Sequence, residues 1–232
     1  MSFINIKKQN SLVIKAGPGA LKHITKEGLQ AKDISTILGG AGGPKALSLI
    51  GLDQAVFSEF LPSSKRKRWL IGSSIGNWRF LCAAKNTPHA AFDHFAKSYV
   101  EKEANLRGGT KEVTRITEEL LLEILDNDMD KILNNPHYHL AIITTRCRGL
   151  LKNTQNKKLL LSGLGIACLL NSFNRSMLRY CVERVVFHDK KGAPPVNFSK
   201  ELPTTLVSLE ESNFFQALIV NHHPKGTIST PA

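Results

Sequence analysis

Residues 72–76 read Gly-Ser-Ser-Ile-Gly, a match to the pattern G-x-S-x-G. Glycines two residues either side of a serine suit a sharp strand-to-helix turn, where bulkier flanks would collide. Such a turn lifts the hydroxyl above the carboxyl end of the strand, over the positive end of the helix that follows. The chemistry on offer is nucleophilic attack on an acyl carbon, provided a neighbour takes the hydroxyl proton. The context agrees, with Leu70 and Ile71 before the turn and the helix-like run "NWRFLCAAK" after it. Ser74 is therefore the candidate nucleophile, and Gly72 and Gly76 are the residues of its turn.

A second glycine turn lies about 30 residues upstream, in "ILGGAGGPKAL". Glycine lets the backbone approach a ligand closely, and the free N–H groups of a helix start can face an anion. A phosphate-binding Walker loop needs Lys followed by Ser or Thr, but Ala46 follows Lys45. A dinucleotide fingerprint needs a third glycine where Lys45 stands, and an acidic residue at the end of a second strand. Two readings stay open. In one, Gly42 and Gly43 donate N–H groups to an oxyanion, with Gly40 and Ala41 shaping the turn. In the other, the turn is a tight strand–helix loop and nothing more.

The proton acceptor is harder to find. The order Ser, acid, His is met by Ser74, Asp189 and His222 or His223. Asp189 ends a candidate strand in "FHDKKG", however, and the two histidines fall in a tail of weak pattern. His137, His139 and His188 read as surface or strand-end residues. No histidine pair has helical metal-ligand spacing beside a carboxylate, so no metal is expected.

Strand-type runs at 11–15, 34–38, 69–71, 140–144, 184–187 and 205–208 alternate with helical patterns at 44–57, 75–85, 89–101, 116–133, 159–174 and 210–220. The alternation predicts an α/β fold on a largely parallel sheet. Within 44–57, residues Leu47, Ile50, Gly51 and Ala55 share the spacing of one buried helix face. The apolar run from Leu159 to Leu170 spans 12 residues, short of the roughly 20 a membrane-crossing helix needs. It reads as a buried helix, with contact at a lipid surface as the alternative.

At 232 residues, with 42% hydrophobic and 22% charged residues, the chain is long enough to bury a core as one domain. Its formal charge of +12 admits nucleic acid or an anionic membrane as partners. Aromatic residues are only 7% and no helix-turn-helix or RNA-binding signature is present, which disfavours nucleic acid. The dense run Lys65-Arg66-Lys67-Arg68 reads as a solvated loop. Four cysteines without C-x-x-C spacing fit neither a zinc site nor a disulfide framework. The opening "MSFINIKKQN" carries no signal-peptide pattern. A reducing, cytoplasmic setting is expected, at most peripheral to a membrane.

The two glycine turns together resemble those of the patatin-like phospholipase family. The wording "GGAGGPKALSLIGLDQAVF … LIGSSIGNWRF … RGLL … ERVVFHD" is similar to a bacterial branch of it and covers most of residues 12–220. The resemblance implies a three-layer α/β/α sandwich and acyl-ester hydrolysis on lipids by a Ser–Asp dyad, with no metal, cofactor or catalytic histidine. Lys45 stands where the family has arginine or lysine. Residues 1–220 would then form the hydrolase domain, incomplete at its C-terminal end, and 221–232 a divergent, unstructured tail. The family's second catalytic residue is an aspartate in a late Asp-Gly motif, and no Asp-Gly dipeptide occurs in this sequence. The chain reads as truncated before that motif. The expected activity is therefore impaired, and the alternative is an inactive hydrolase scaffold that binds a lipid or a partner.

Overall fold

The computed structural model of the chain describes residues 13–104, 110–152, 156–189, 192–210, 214, 217 and 218. Five strands form one mixed sheet in the order β1 (Thr36–Gly39), β2 (Arg68–Gly72), β3 (Tyr138–Cys147), β4 (Val182–His188) and β5 (Thr204–Ser208). β1, β2 and β3 run parallel, β3 and β4 pair antiparallel, and β5 runs parallel to β4. The fold is thus α/β on a mostly parallel sheet. Strand periodicity fixes which side chains face inward but not the direction of the neighbouring strand, so the reversal at β4 is not legible in the pattern.

One sheet face carries the main core. Leu70, Leu140, Ile142, Val185 and Phe187 share one core there with α3 (Ile75–Ala83), α4 (Pro88–Ala104) and α5 (Thr110–Leu125). Every residue of α3 is buried, which makes it the helix at the centre of the molecule. Its Trp78 packs against Phe95 and its Phe80 against Phe57, which also meets Phe92 and Tyr138. The other face carries a smaller cluster, in which Ile71, Ala141 and Val186 meet Trp69, Ile143, Val196 and Phe198.

Several elements differ from expectation. The helix expected at 44–57 is a 3-10 turn over Gly43–Leu49, α2 (Ile50–Gln54) and a π-helical segment over Ala55–Phe60. Its buried residues are Ala46, Ile50, Asp53 and Phe57, whereas Gly51 and Ala55 are exposed. The helix expected at 116–133 divides into α5 and α6 (Met129–Leu133), because Asp126 and Asn127 adopt positive φ, a conformation these short polar residues tolerate. Residues 13–15 form no strand, and 11 and 12 lie outside the described residues. α1 (Pro18–Glu27) is a further helix, outside the helical patterns read from the sequence. In the segment expected at 210–220, Phe214, Ala217 and Leu218 are helical and buried. The expected tail 221–232, with His222 and His223, lies outside the described residues.

Candidate active site

Both glycine turns leave the sheet at one edge. β1 and β2 are adjacent and parallel, with Gly39 level with Gly72, so the 39–43 turn and the Ser74 turn stand side by side at the carboxyl ends of their strands. Ser74 has φ 55° and ψ −134°, the conformation of the first central residue of a type II′ turn, a position glycine normally takes. The Gly76 N–H donates to the Ser73 carbonyl at 3.1 Å and closes the turn, and the Asn77 N–H donates to the Ser74 carbonyl at 2.9 Å. A non-glycine residue held there stores of order 1–3 kcal/mol of strain. Such strain persists only where the surroundings enforce it.

They do enforce it. A Cβ on Gly72 would lie 2.3 Å from Asn77 Oδ1, and one on Gly76 would lie 2.3 Å from the Gly39 carbonyl oxygen. Both turn glycines are therefore obligatory on steric grounds. Asn77, 3% exposed, fills the space beside Gly72, and its Nδ2 has no hydrogen-bond partner among the described residues. The motif pointed to the glycines; nothing in it pointed to the residue that crowds them.

In the other turn, Gly40, Ala41, Gly42 and Lys45 are exposed and Gly43 is half-buried at φ 53°. Gly43 opens the short 3-10 segment, whose first N–H groups have no acceptor within it. The Ile75 N–H, at the first residue of α3, is likewise free of an intrahelical partner. Backbone donors of two adjacent turns thus stand at the same end of the sheet as Ser74. A buried ion pair holds the two following helices together. Arg79 of α3 meets Asp53 of α2 through two bonds, Nε to Oδ2 at 2.5 Å and Nη2 to Oδ1 at 2.6 Å.

Among the described residues, none is placed as a base for Ser74. No hydrogen bond joins the Ser74 hydroxyl to a carboxylate or imidazole among the described residues. Asp189 lies at the opposite edge, its N–H on the Leu140 carbonyl and its Oδ2 3.2 Å from His139 Nδ1. Leu140 is level with Leu70. Ser74 is four residues further on, so the separation along the strands is about 13 Å. Asp189 and Ser74 are thus not brought together, and His222 and His223 lie outside the described residues. Asp53 is occupied by Arg79. Glu183, on β4 toward the Ser74 edge, meets Arg146, Arg148 and Thr205. Burial would raise its carboxyl, but Arg148, Thr205 and Arg146 outweigh this and hold it below the usual range. A carboxylate so stabilised makes a weak base.

Two of the four cysteines, Cys82 and Cys147, are poor nucleophiles. Burial pushes the Cys82 thiol up to about 12 and raises Cys147 as well. Among the described residues, no three His, Cys, Asp or Glu side chains gather as a metal site. No described helix is long and apolar enough to cross a membrane. A cleft of about 830 Å³ opens by the first residues of β2 and β3, lined by Arg68, Tyr138, Lys85 and His137, away from the Ser74 turn. The basic run beside it is partly structural. Arg68 is buried and donates to the carbonyls of Ser64, Arg66 and Ala31, and Arg66 donates to that of Lys32. No protein-family model, no curated protein and no solved structure matches the chain.

Proposed function

We propose that this chain carries the nucleophile and oxyanion turns of a patatin-like serine acyl-ester hydrolase acting on lipid esters, built on a three-layer α/β/α plan. The observation that supports it best is the Ser74 backbone, held at φ 55° and ψ −134° between two glycines that admit no side chain. A loop serine without a task has no need of that strain. In this reading the Ser74 hydroxyl attacks the acyl carbon. The N–H groups of Gly42, Gly43 and Ile75 receive the charge that develops on the carbonyl oxygen. Lys45 supplies positive charge beside that turn.

The sequence contains no Asp-Gly dipeptide, and Asp53, Glu183 and Asp189 are each engaged elsewhere. Loss of a general base typically lowers the rate by about 10² to 10⁴, so the chain as it stands turns over lipid esters slowly or not at all. A Ser74 hydroxyl with no carboxylate or imidazole partner among the described residues favours a second reading, an inactive scaffold that binds a lipid or a protein. Fluorophosphonate labelling of the purified chain beside Ser74→Ala separates the two. Labelling lost in Ser74→Ala supports an activated serine. No labelling of either folded protein leaves the scaffold reading.

A further inference from the structure

α7 (Lys157–Phe173) turns much of its apolar surface outward, contrary to the buried helix the sequence led us to expect. Leu161 is 67% exposed, Leu169 63% and Phe173 82%, and Leu159, Leu164 and Ile166 are exposed as well. At 100° per residue, Leu159, Ile166, Leu169 and Phe173 share one flank, and Leu161, Leu164 and Cys168 another. A narrow stripe of Leu160, Gly163, Ala167 and Leu170 faces inward. There Gly163 lies so close to Leu150 and Leu151 that a Cβ would stand 3.0 to 3.1 Å from them. So much apolar surface turned outward on one helix marks a binding face.

Charge selects the occupant. The sequence has no Asp or Glu from residue 131 to residue 182, yet eight Lys or Arg residues fall there. Glu183 engages Arg146 and Arg148, and Glu201 lies 3.6 Å from Arg175. Lys152, Lys158 and Arg179 remain exposed around α7. A second copy docked here would oppose cation to cation. An anionic lipid surface would take up both the leucines and the charge. At about 25 Å the helix is too short to span a bilayer but suits its interface. β3 ends and β4 begins at the edge that carries Ser74, so α7 hangs from that edge.

We propose that α7 is the element by which this protein lies on an anionic lipid surface, with the Ser74 edge turned toward the lipid. The proposal rests on the lipid-ester reading for its purpose, but the binding itself does not require Ser74. The test is sedimentation of the full chain with vesicles of phosphatidylcholine alone, and with about one third phosphatidylglycerol added. Wild-type protein and Ser74→Ala are expected to bind the anionic vesicles equally, about tenfold more tightly than the neutral ones. Leu169→Asp/Phe173→Asp and Lys152→Glu/Lys158→Glu are each expected to weaken that binding by about tenfold or more. All four positions are exposed, and circular dichroism confirms folding. Binding with absent labelling would leave this proposal standing and remove the hydrolase reading. Three results would overturn the proposal: no binding, equal binding to both vesicles, or binding that Leu169→Asp/Phe173→Asp leaves intact. A dimer in light scattering that this variant dissolves would assign the face to a second copy and overturn it too.

Discussion

The Gly39 carbonyl oxygen stands where a side chain on Gly76 would have to go, 2.3 Å from the Cβ position. The first turn of α3 therefore rests directly on the end of β1. The same oxygen accepts the Ser73 N–H at 3.0 Å. A Cβ on Gly39 would in turn meet the Phe80 ring at 2.8 Å. The two glycine turns are thus one assembly, locked by backbone contact.

Gly76→Ala separates this contact from ordinary helix propensity. Alanine in a helix interior gains roughly 1 kcal/mol over glycine. The clash with backbone should outweigh that gain, for a net loss of about 2 kcal/mol or more in urea unfolding. Gly40→Ala is the control, since nothing lies within 4 Å of its Cβ position. It should stay within about 0.5 kcal/mol of wild type. Equal effects at the two positions would contradict the steric account.

Replacing Ser74 tests the strain. Glycine relaxes at φ 55° whereas alanine does not. Ser74→Gly should therefore exceed Ser74→Ala in stability by about 1 kcal/mol, or a melting temperature higher by roughly 2–4 °C. Both variants should lose any fluorophosphonate labelling. An alanine variant as stable as the glycine variant would show that the turn is relaxed.

The Arg79–Asp53 pair predicts an asymmetry between single and double variants. Their side chains are 11% and 6% exposed. Asp53→Asn leaves the Arg79 charge buried without its partner, which should cost about 3 kcal/mol or more. Asp53→Leu/Arg79→Met removes both charges and should recover most of that loss in the same unfolding measurement. A double variant less stable than Asp53→Asn would mean that the pair itself, and not its uncompensated remnant, dominates.

The parts of the site written in local sequence were legible. Leu70 and Ile71 announced β2, and the glycines announced both turns, with no room for a side chain at Gly39, Gly72 and Gly76. Contacts between distant segments were not legible. Nothing local linked Asp53 to Arg79, 26 residues apart, or placed Asp189 at the far edge from Ser74, which depends on the antiparallel pairing of β4 with β3. The leucines of α7 misled for another reason. Apolar composition shows that a surface seeks a partner, but not that the partner is the chain's own core. The break between α5 and α6 had its signal in Asp126 and Asn127, which the helical periodicity around them masked.

Acid should expose the cluster around Glu183. Its folded-state pKa is depressed, so its contribution is complete above the unfolded value of about 4.3 and fades as pH falls through the folded value. Glu183→Gln cannot ionise and leaves Arg146 and Arg148 facing a neutral amide. Near pH 7 the variant should be less stable than wild type by about 2 kcal/mol. The gap should narrow below about pH 4, because wild type then loses what the variant never had. Urea unfolding of both proteins across this range measures the gap directly. A gap that stays constant with pH would mean that packing against Thr205, and not the carboxylate charge, is what Glu183 provides.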